Sequence, residues 1–560
     1  MANQRITFGE WLPDQPSVIG ALTVAENVYP KTVGYGSIAS PVNYSNDANE
    51  NLTNVVASRE SDGSVAMFAG GNKEIYKLNT TNFNLDNVSK NVRTVTTVAR
   101  ATNVVTITTS AAHGYTTGDT VTVLVDTNTG LNGSFTIAST PTTTTFTYSK
   151  TGTDITSVAD TGIVSTVSYN DIEEQRWRFT QFNNQLIAAN GHDKLQGFLM
   201  GTSTVFNDLS ADAPKARYVT VVRDFVVSGY INDSIIKQNR VQWSALNDET
   251  SWTPSATTQA DYQDIPDGGS VVGVTGGEFG LVFLDRSIHR MSYVGSPIVF
   301  QFDNISRNLG CYEANSIIQY QGVSFFLSDD GFYSCDGQNI VSIGGEKVDR
   351  YFFNDVDESY LYNMSVAVDP FKKLIVWAYP DKWSGGSANK LIIYNFQTKK
   401  WSSGTTNVNR VAPSSTAAIT LEGLDNFSSS IDALQTSLDS RLWVGGKMLF
   451  SGVRGKKIIT FTGESSSATI STGELSAENF ATAVTLVKPI IDNGSANVSI
   501  ATRRLLSEQV IYGTPISADA ENRVSLRSIG KYHRLTISPT GFNWDSIIGA
   551  DVEIVPIGNR

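Results

Sequence analysis

The chain has 560 residues, 54 acidic against 42 basic side chains, a formal charge of −12, and only 17% charged residues beside 40% hydrophobic ones. That length exceeds one compact core and predicts two to four domains or a repeat array. The acidic balance, with no basic block anywhere, excludes tight salt-dependent binding to phosphate backbones as the main activity, and a surface drawn largely from Ser, Thr and Asn favours strands and turns over long charged helices.

The first 45 residues read as an extended arm. The stretch "FGEWLPDQPSVIGALTVAENVYPKTVGYG" (8–36) carries Pro13, Pro16 and Pro30, which deny it a helix. An extended apolar strand is stable only when docked, on its own propeller or on a neighbour. Phe8, Trp11 and Leu12 are the candidate anchors for arm docking or a subunit contact, because large aromatic side chains bury the most area per contact.

From about residue 50 to 450 one unit recurs, an apolar run, a short polar turn and a second run with aromatics. It appears as "SVAMFAGGNKEIYKL", "NQLIAANGHDKLQGF", "DFVVSGYINDSII", "FGLVFLDRSIHRMSYV", "VSFFLSDDGFYSCDG", "KLIVWAYPDKWSGGSANKLIIYNF" and "RLWVGGKMLFSG", centred near residues 68, 187, 227, 284, 327, 376 and 444. Most intervals are roughly 40 to 70 residues, the spacing of propeller blades. Four or five apolar residues bounded by Gly, Asn or Asp are too short for a helix and read as buried strands of a meander. The fold class is therefore all-β, with a β-propeller-like body of six or seven blades at 46–92 plus 167–450. A pair of β-sandwiches with the same hairpin grammar is the alternative, and the blade number turns on whether N- and C-terminal strands pair to close the ring.

The long first interval holds an insertion. In residues 93–166 about one residue in three is threonine, with β-branched alternation and turns at His113-Gly114 and Asn132-Gly133, which predicts an independent small β-domain. Further on, Leu424, Phe427, Ile431, Leu434 and Leu438 share one helical face and would cover a blade edge or seal the ring. Residues 451–560 change to alternating strands, including a hairpin signal at Asp492-Asn493-Gly494, and read as a C-terminal β-sandwich.

Chemistry is sparse. No run approaches ~18 apolar residues and the start lacks a signal-peptide pattern, so the chain is expected to be soluble and to stay where it is made. Cys311 and Cys335 are expected as isolated buried thiols, and the four histidines (His113, His192, His289, His533) lack ligand-spaced neighbours, so no metal site or cofactor is expected. The "DTNTGLNGS" stretch has its glycine one place early for a calcium loop and Ile137 at the twelfth position; it reads as a turn. No phosphate-binding loop, nucleophile elbow or zincin motif occurs, so no catalytic residue is expected. A propeller glycosidase would need funnel carboxylates; "SDDGFYSCDG" (328–337) partly resembles a sialidase turn, with Asp329 and Asp330 read as turn formers.

"FGEWLPDQP" with "ALTVAENVYP" resembles the start of tail nozzle or hub proteins of short-tailed bacteriophages, the group that includes packaged-DNA stabilisation proteins. "SDDGFYSCDGQNIVSIGGEKVDRYFFNDV" (328–356), "SIDALQTSLDSRLWVGG" (430–446), "GKYHRLTISP" and "WDSIIGADVEI" extend the resemblance, in order, over nearly the whole chain. The insertion is similar to modules of phage tail and fibre proteins. The resemblance implies a non-enzymatic virion protein of the tail, assembled in the bacterial host cytoplasm. It would form a homo-oligomeric ring, commonly a hexamer, below the portal and adaptor and beside other tail proteins or fibres. The ring would retain packaged DNA and allow its ejection, the DNA passing without specific binding. A host-surface glycan-binding tail protein is the alternative, and a propeller glycosidase a third.

Overall fold

The computed structural model describes residues 2–17, 20–60, 63–166, 169, 176–416, 430, 446, 448–476, 481–541 and 544–557. Seven four-stranded antiparallel units account for most of it. Six are continuous in sequence, at 52–87, 178–208, 216–264, 271–306, 318–342 and 365–405; the seventh joins three strands at 410–465 to Ala39–Asn43. Their first strands are Leu52–Arg59, Arg178–Phe182, Ala216–Val222, Val271–Thr275, Ile318–Tyr320, Ser365–Asp369 and Arg410–Ser415. These pack side by side around one axis. Polar bonds tie neighbours: Gln181 bonds both Ser58 and Arg59, Thr275 Oγ1 lies 3.1 Å from Ser324 Oγ, and Val411 N donates to Ser365 Oγ. The body is a seven-bladed β-propeller.

Why these segments read as unbroken apolar runs follows from their place. Gly280–Leu284 and Leu374–Tyr379 are second strands, buried along their whole length because blades cover both faces. Close packing between blades also demands small residues. A Cβ on Gly70 would come within 2.5 Å of the Trp177 ring, so blade 1 meets the next blade through a glycine.

The seventh blade is closed by the arm. Val42 pairs with Thr460 and Pro41 with Phe461, so the outermost strand comes from the start of the chain and the proline sits where no further ladder is needed. This blade runs on to Ser465, beyond the residue 450 expected as the propeller's end, because Lys457–Ser465 has Ala39–Asn43 as its partner.

Between blades 1 and 2 stands the inserted domain, an eight-stranded β-structure with its own core, which includes Val98, Ile107, Val121, Val123, Phe146 and Tyr148. Val92 pairs with Ser165, so its entry and exit strands lie side by side.

The last domain is a two-sheet sandwich. One sheet holds Ala481–Asp492, Ser546–Ile557 and Val524–Gly530 together with the arm strands Ala2–Thr7, Val28–Pro30 and Tyr35–Ser37. The other holds Ser495–Arg503 and Tyr532–Thr540. Tyr532–Thr540 alternates buried and half-buried positions, as a sheet with one covered face should. The expected hairpin at Asp492-Asn493-Gly494 is instead a crossing between the two sheets: Ala481–Asp492 takes its hydrogen bonds from Ser546–Ile557 and Val524–Gly530, and Ser495–Arg503 from Tyr532–Thr540. The turn chemistry was legible; the partner was not.

Val24–Glu26 joins the two bodies. It pairs in parallel with blade 6 (Glu26 with Ser403) and antiparallel with Thr469–Ser471, making one ten-stranded sheet from propeller to sandwich. The stripe from Leu424 to Leu438 lies outside the described residues.

Candidate functional site

Two places draw chemistry-bearing or anchoring side chains together, the arm's docking groove and one end of the propeller axis. In the groove, Phe8 and Trp11 are buried in the largest apolar cluster among the described residues, while Leu12 is half-buried. Trp11 Nε1 donates to Thr23 O at 3.2 Å, and its ring meets Tyr351 edge-on at 5.1 Å. Asp14 accepts from Arg350 N and Tyr351 N at 2.9 and 2.7 Å, holding the first turn of the short helix Asp349–Asp355, where unpaired amides favour a carboxylate. Lys347 Nζ donates to Glu10 Oε1 at 2.7 Å. Within the single chain, Phe8 and Trp11 are packed among the chain's own residues.

At the axis, the starts of successive first strands converge on a cavity of about 350 Å³. Its wall includes Arg176, Arg178, Arg217, Tyr218, Glu313 and Tyr362, drawn from different blades. All innermost strands of a propeller run the same way along the axis, so residues at their starts meet at one end. Arg178 Nη2 donates to Asn315 Oδ1 at 2.8 Å and its guanidinium lies over the Tyr218 ring at 4.8 Å. Arg217 lies over Tyr230 at 4.0 Å. Arg176 donates to Met364 O, reaching from blade 2 to the entry of blade 6. Beside the cavity Arg410 donates to Tyr362 O and Asn363 Oδ1.

Glu313 is the carboxylate that acts on Arg176, Arg178 and Arg410 together, and its Oε1 already accepts from Asn315 N at 2.9 Å. Burial pushes the Arg176 guanidinium well below its ordinary range, lowers Arg178, and brings Arg410 to about 10; burial likewise raises the Glu313 carboxyl. Asp285 stands at the exposed rim and accepts from Ser270 N at 2.7 Å.

The other singled-out residues stay apart. Asp330 accepts from Tyr333 Oη at 2.8 Å and Ser328 Oγ donates to Asp329, both at a blade hairpin. Among the described residues no group of three or more His, Cys, Asp or Glu side chains could hold a metal ion. Cys311 and Cys335 are buried free thiols. Asp160 accepts from the Thr127 and Asn128 amides, closing the "DTNTGLNGS" loop as a turn. Among the described residues no helix is long and apolar enough to cross a membrane. The axial arginines carry no sequence signal because they come from separate stretches of the chain, at 176–178, 217 and 410.

No protein-family model matches this chain, and no curated protein matches it. Solved structures similar to it include the Pan2 WD40 domain of Neurospora crassa, at 8% identity over 57% of this chain and 82% of that one, TM-score 0.28. A chain of a mitotic checkpoint complex matches at 10% identity over 66% and 90%, TM-score 0.32. The Cps50 (Swd1) β-propeller domain of Myceliophteria thermophila matches at 10% over 65% and 98%, TM-score 0.26. At such TM-scores these likenesses add nothing to the closed ring of sheets.

Proposed function

We propose that the chain is a structural subunit of the tail nozzle or hub of a short-tailed bacteriophage. It acts as a homo-oligomeric ring, six copies on the family pattern, that retains packaged DNA and allows its ejection. Beside the ordered run of sequence resemblances, the observation that carries this reading is the strand Val24–Glu26. It welds propeller and sandwich into one ladder, where domains joined by a linker would move against each other. A wall around moving DNA needs that rigidity.

The side chains of Arg176 and Arg178 cross the propeller's own axis, so a duplex passage belongs between copies. A net charge of −12 suits a conduit that repels phosphates and lets DNA slide. Its neighbours would be portal-adaptor and other tail proteins, and its place the virion tail. Negative-stain microscopy of the purified protein tests the reading. A six-fold ring with a bore wide enough for duplex DNA is expected; a monodisperse monomer that hydrolyses a polysaccharide overturns it.

A further inference from the structure

We propose that a cavity between blades 6 and 7 binds the alkyl chain of a small amphiphile whose carboxylate head is taken by Lys372. The cavity measures about 280 Å³ and is lined from three parts of the chain: Ile38 of the arm, Val376 and Ile393 of blade 6, and Phe450 and Phe461 of blade 7. The two phenylalanine rings stack at 4.1 Å and form one wall. Protein interiors rarely keep a void much larger than a water molecule. A space with such walls offers water few partners and stays dry, and one of roughly 150 Å³ lined by Leu, Ile and Phe already takes benzene. The cavity here has nearly twice that volume, enough for a chain of about eight carbons.

Access and charge select the ligand. Phe371 and Met448 also belong to the wall and are 49% and 42% exposed, so the cavity opens to solvent past apolar side chains. Lys372 stands in the same wall. Its Nζ donates to Ser37 O at 3.3 Å, next to Ile38 in sequence, and lies over the Tyr29 ring at 4.9 Å. Ser37 O takes one of the three ammonium N–H groups. Lys31 Nζ lies over the same ring at 5.8 Å and donates to Asp545 O at 3.0 Å.

The carboxylate in the wall has a different task. Asp369 Oδ1 accepts from Phe371 N and Lys372 N at 3.0 and 3.1 Å, which fixes the turn between the first two strands of blade 6. Burial lowers the pKa of Lys372, Asp369 opposes that shift, and Lys31 adds to it. A head group that brings its own negative charge therefore meets Lys372 through a charge-assisted bond, stronger at a half-desolvated mouth than in water. A cationic head would face two ammonium groups.

The test uses the purified full chain in calorimetric titrations with sodium octanoate, 1-octanol, octylammonium chloride and sodium acetate. Saturable binding is expected, tightest for octanoate, weaker for octanol and weakest for octylammonium, with acetate too short to bind. Lys372→Met keeps the alkyl stem and should weaken octanoate by about tenfold or more while leaving octanol unchanged. Lys372→Arg should restore most of the advantage of octanoate. Ala39→Leu, which adds bulk to the wall at a half-buried position, should weaken octanoate and octanol alike while circular dichroism keeps the β-sheet spectrum. No saturable octanoate binding overturns the proposal; so do octanoate no tighter than octanol or octylammonium, and an octanoate affinity indifferent to Lys372→Met. The comparison among probes on the unaltered protein decides even where a variant fails to fold. The wall comes from a single chain, so this titration succeeds or fails separately from the microscopy that tests the ring.

Discussion

Asp349 illustrates how a single carboxyl can be forced by its surroundings. It is 9% exposed, accepts from Phe332 N at 3.1 Å, and is packed against Gly331 and Gly344, where an added Cβ would come within 2.2 and 1.9 Å of its oxygens. Burial, with Asp14 and Asp330 nearby, raises its pKa from 3.8 to about 7, the amide bond opposing the shift. The folded state therefore binds more protons than the unfolded state across that window, and Asp349's contribution to stability falls as pH rises from 3.8 to about 7. Urea unfolding of wild type and Asp349→Asn at several pH values should show the difference between them growing less favourable to wild type up to about pH 7 and then levelling. A difference independent of pH would mean that Asp349 is ionised throughout.

Among elements, the strands of the arm are unequal. Ala2–Thr7 adds an edge to Ser546–Ile557, aided by the exposed Arg5–Asp551 ion pair, while Ala39–Asn43 completes a blade and Val24–Glu26 carries the bridge. An exposed ion pair of this kind contributes little. Removing residues 1–7 should lower the melting temperature slightly, whereas removing 1–44 should expose the edge of Lys457–Ser465 and yield aggregated protein. Size-exclusion chromatography and differential scanning fluorimetry separate the two. The same contrast explains what the sequence could reveal. Six of the seven unit centres, from 68 to 376, fall within second strands of successive blades, because an apolar run closed by Gly, Asn or Asp is a local signal. That Trp11 is buried was legible from its type; that it rests on Tyr351 was not, since the two are 340 positions apart in the chain. Arg176, Arg217 and Arg410 are equally scattered, and only closure of the ring brings their strand starts together. The crossing at Asn493 was misread for the same reason: a turn motif fixes local φ, here +53°, but not which sheet the next strand joins.

For the whole molecule, the charge of −12 is spread over a body whose described arginine cluster is sunk in a cavity of about 350 Å³, too small for a duplex to enter. Linear double-stranded DNA should therefore show no mobility shift with this protein at physiological salt; a shift that disappears on raising salt would reveal phosphate contacts and contradict a channel through which DNA slides. The bridge through Val24–Glu26 also governs biosynthesis. Most partners of the arm strands come far later in the chain: Lys400–Thr405, Lys457–Ser465 and Ser546–Ile557 are translated hundreds of residues after them. Ala39–Asn43 has to wait for a partner more than 400 residues away along the chain, and such distant pairings form slowly. A copy that stopped before Lys457 would leave Ala39–Asn43 dangling, so closure of the seventh blade is deferred by the order of synthesis itself.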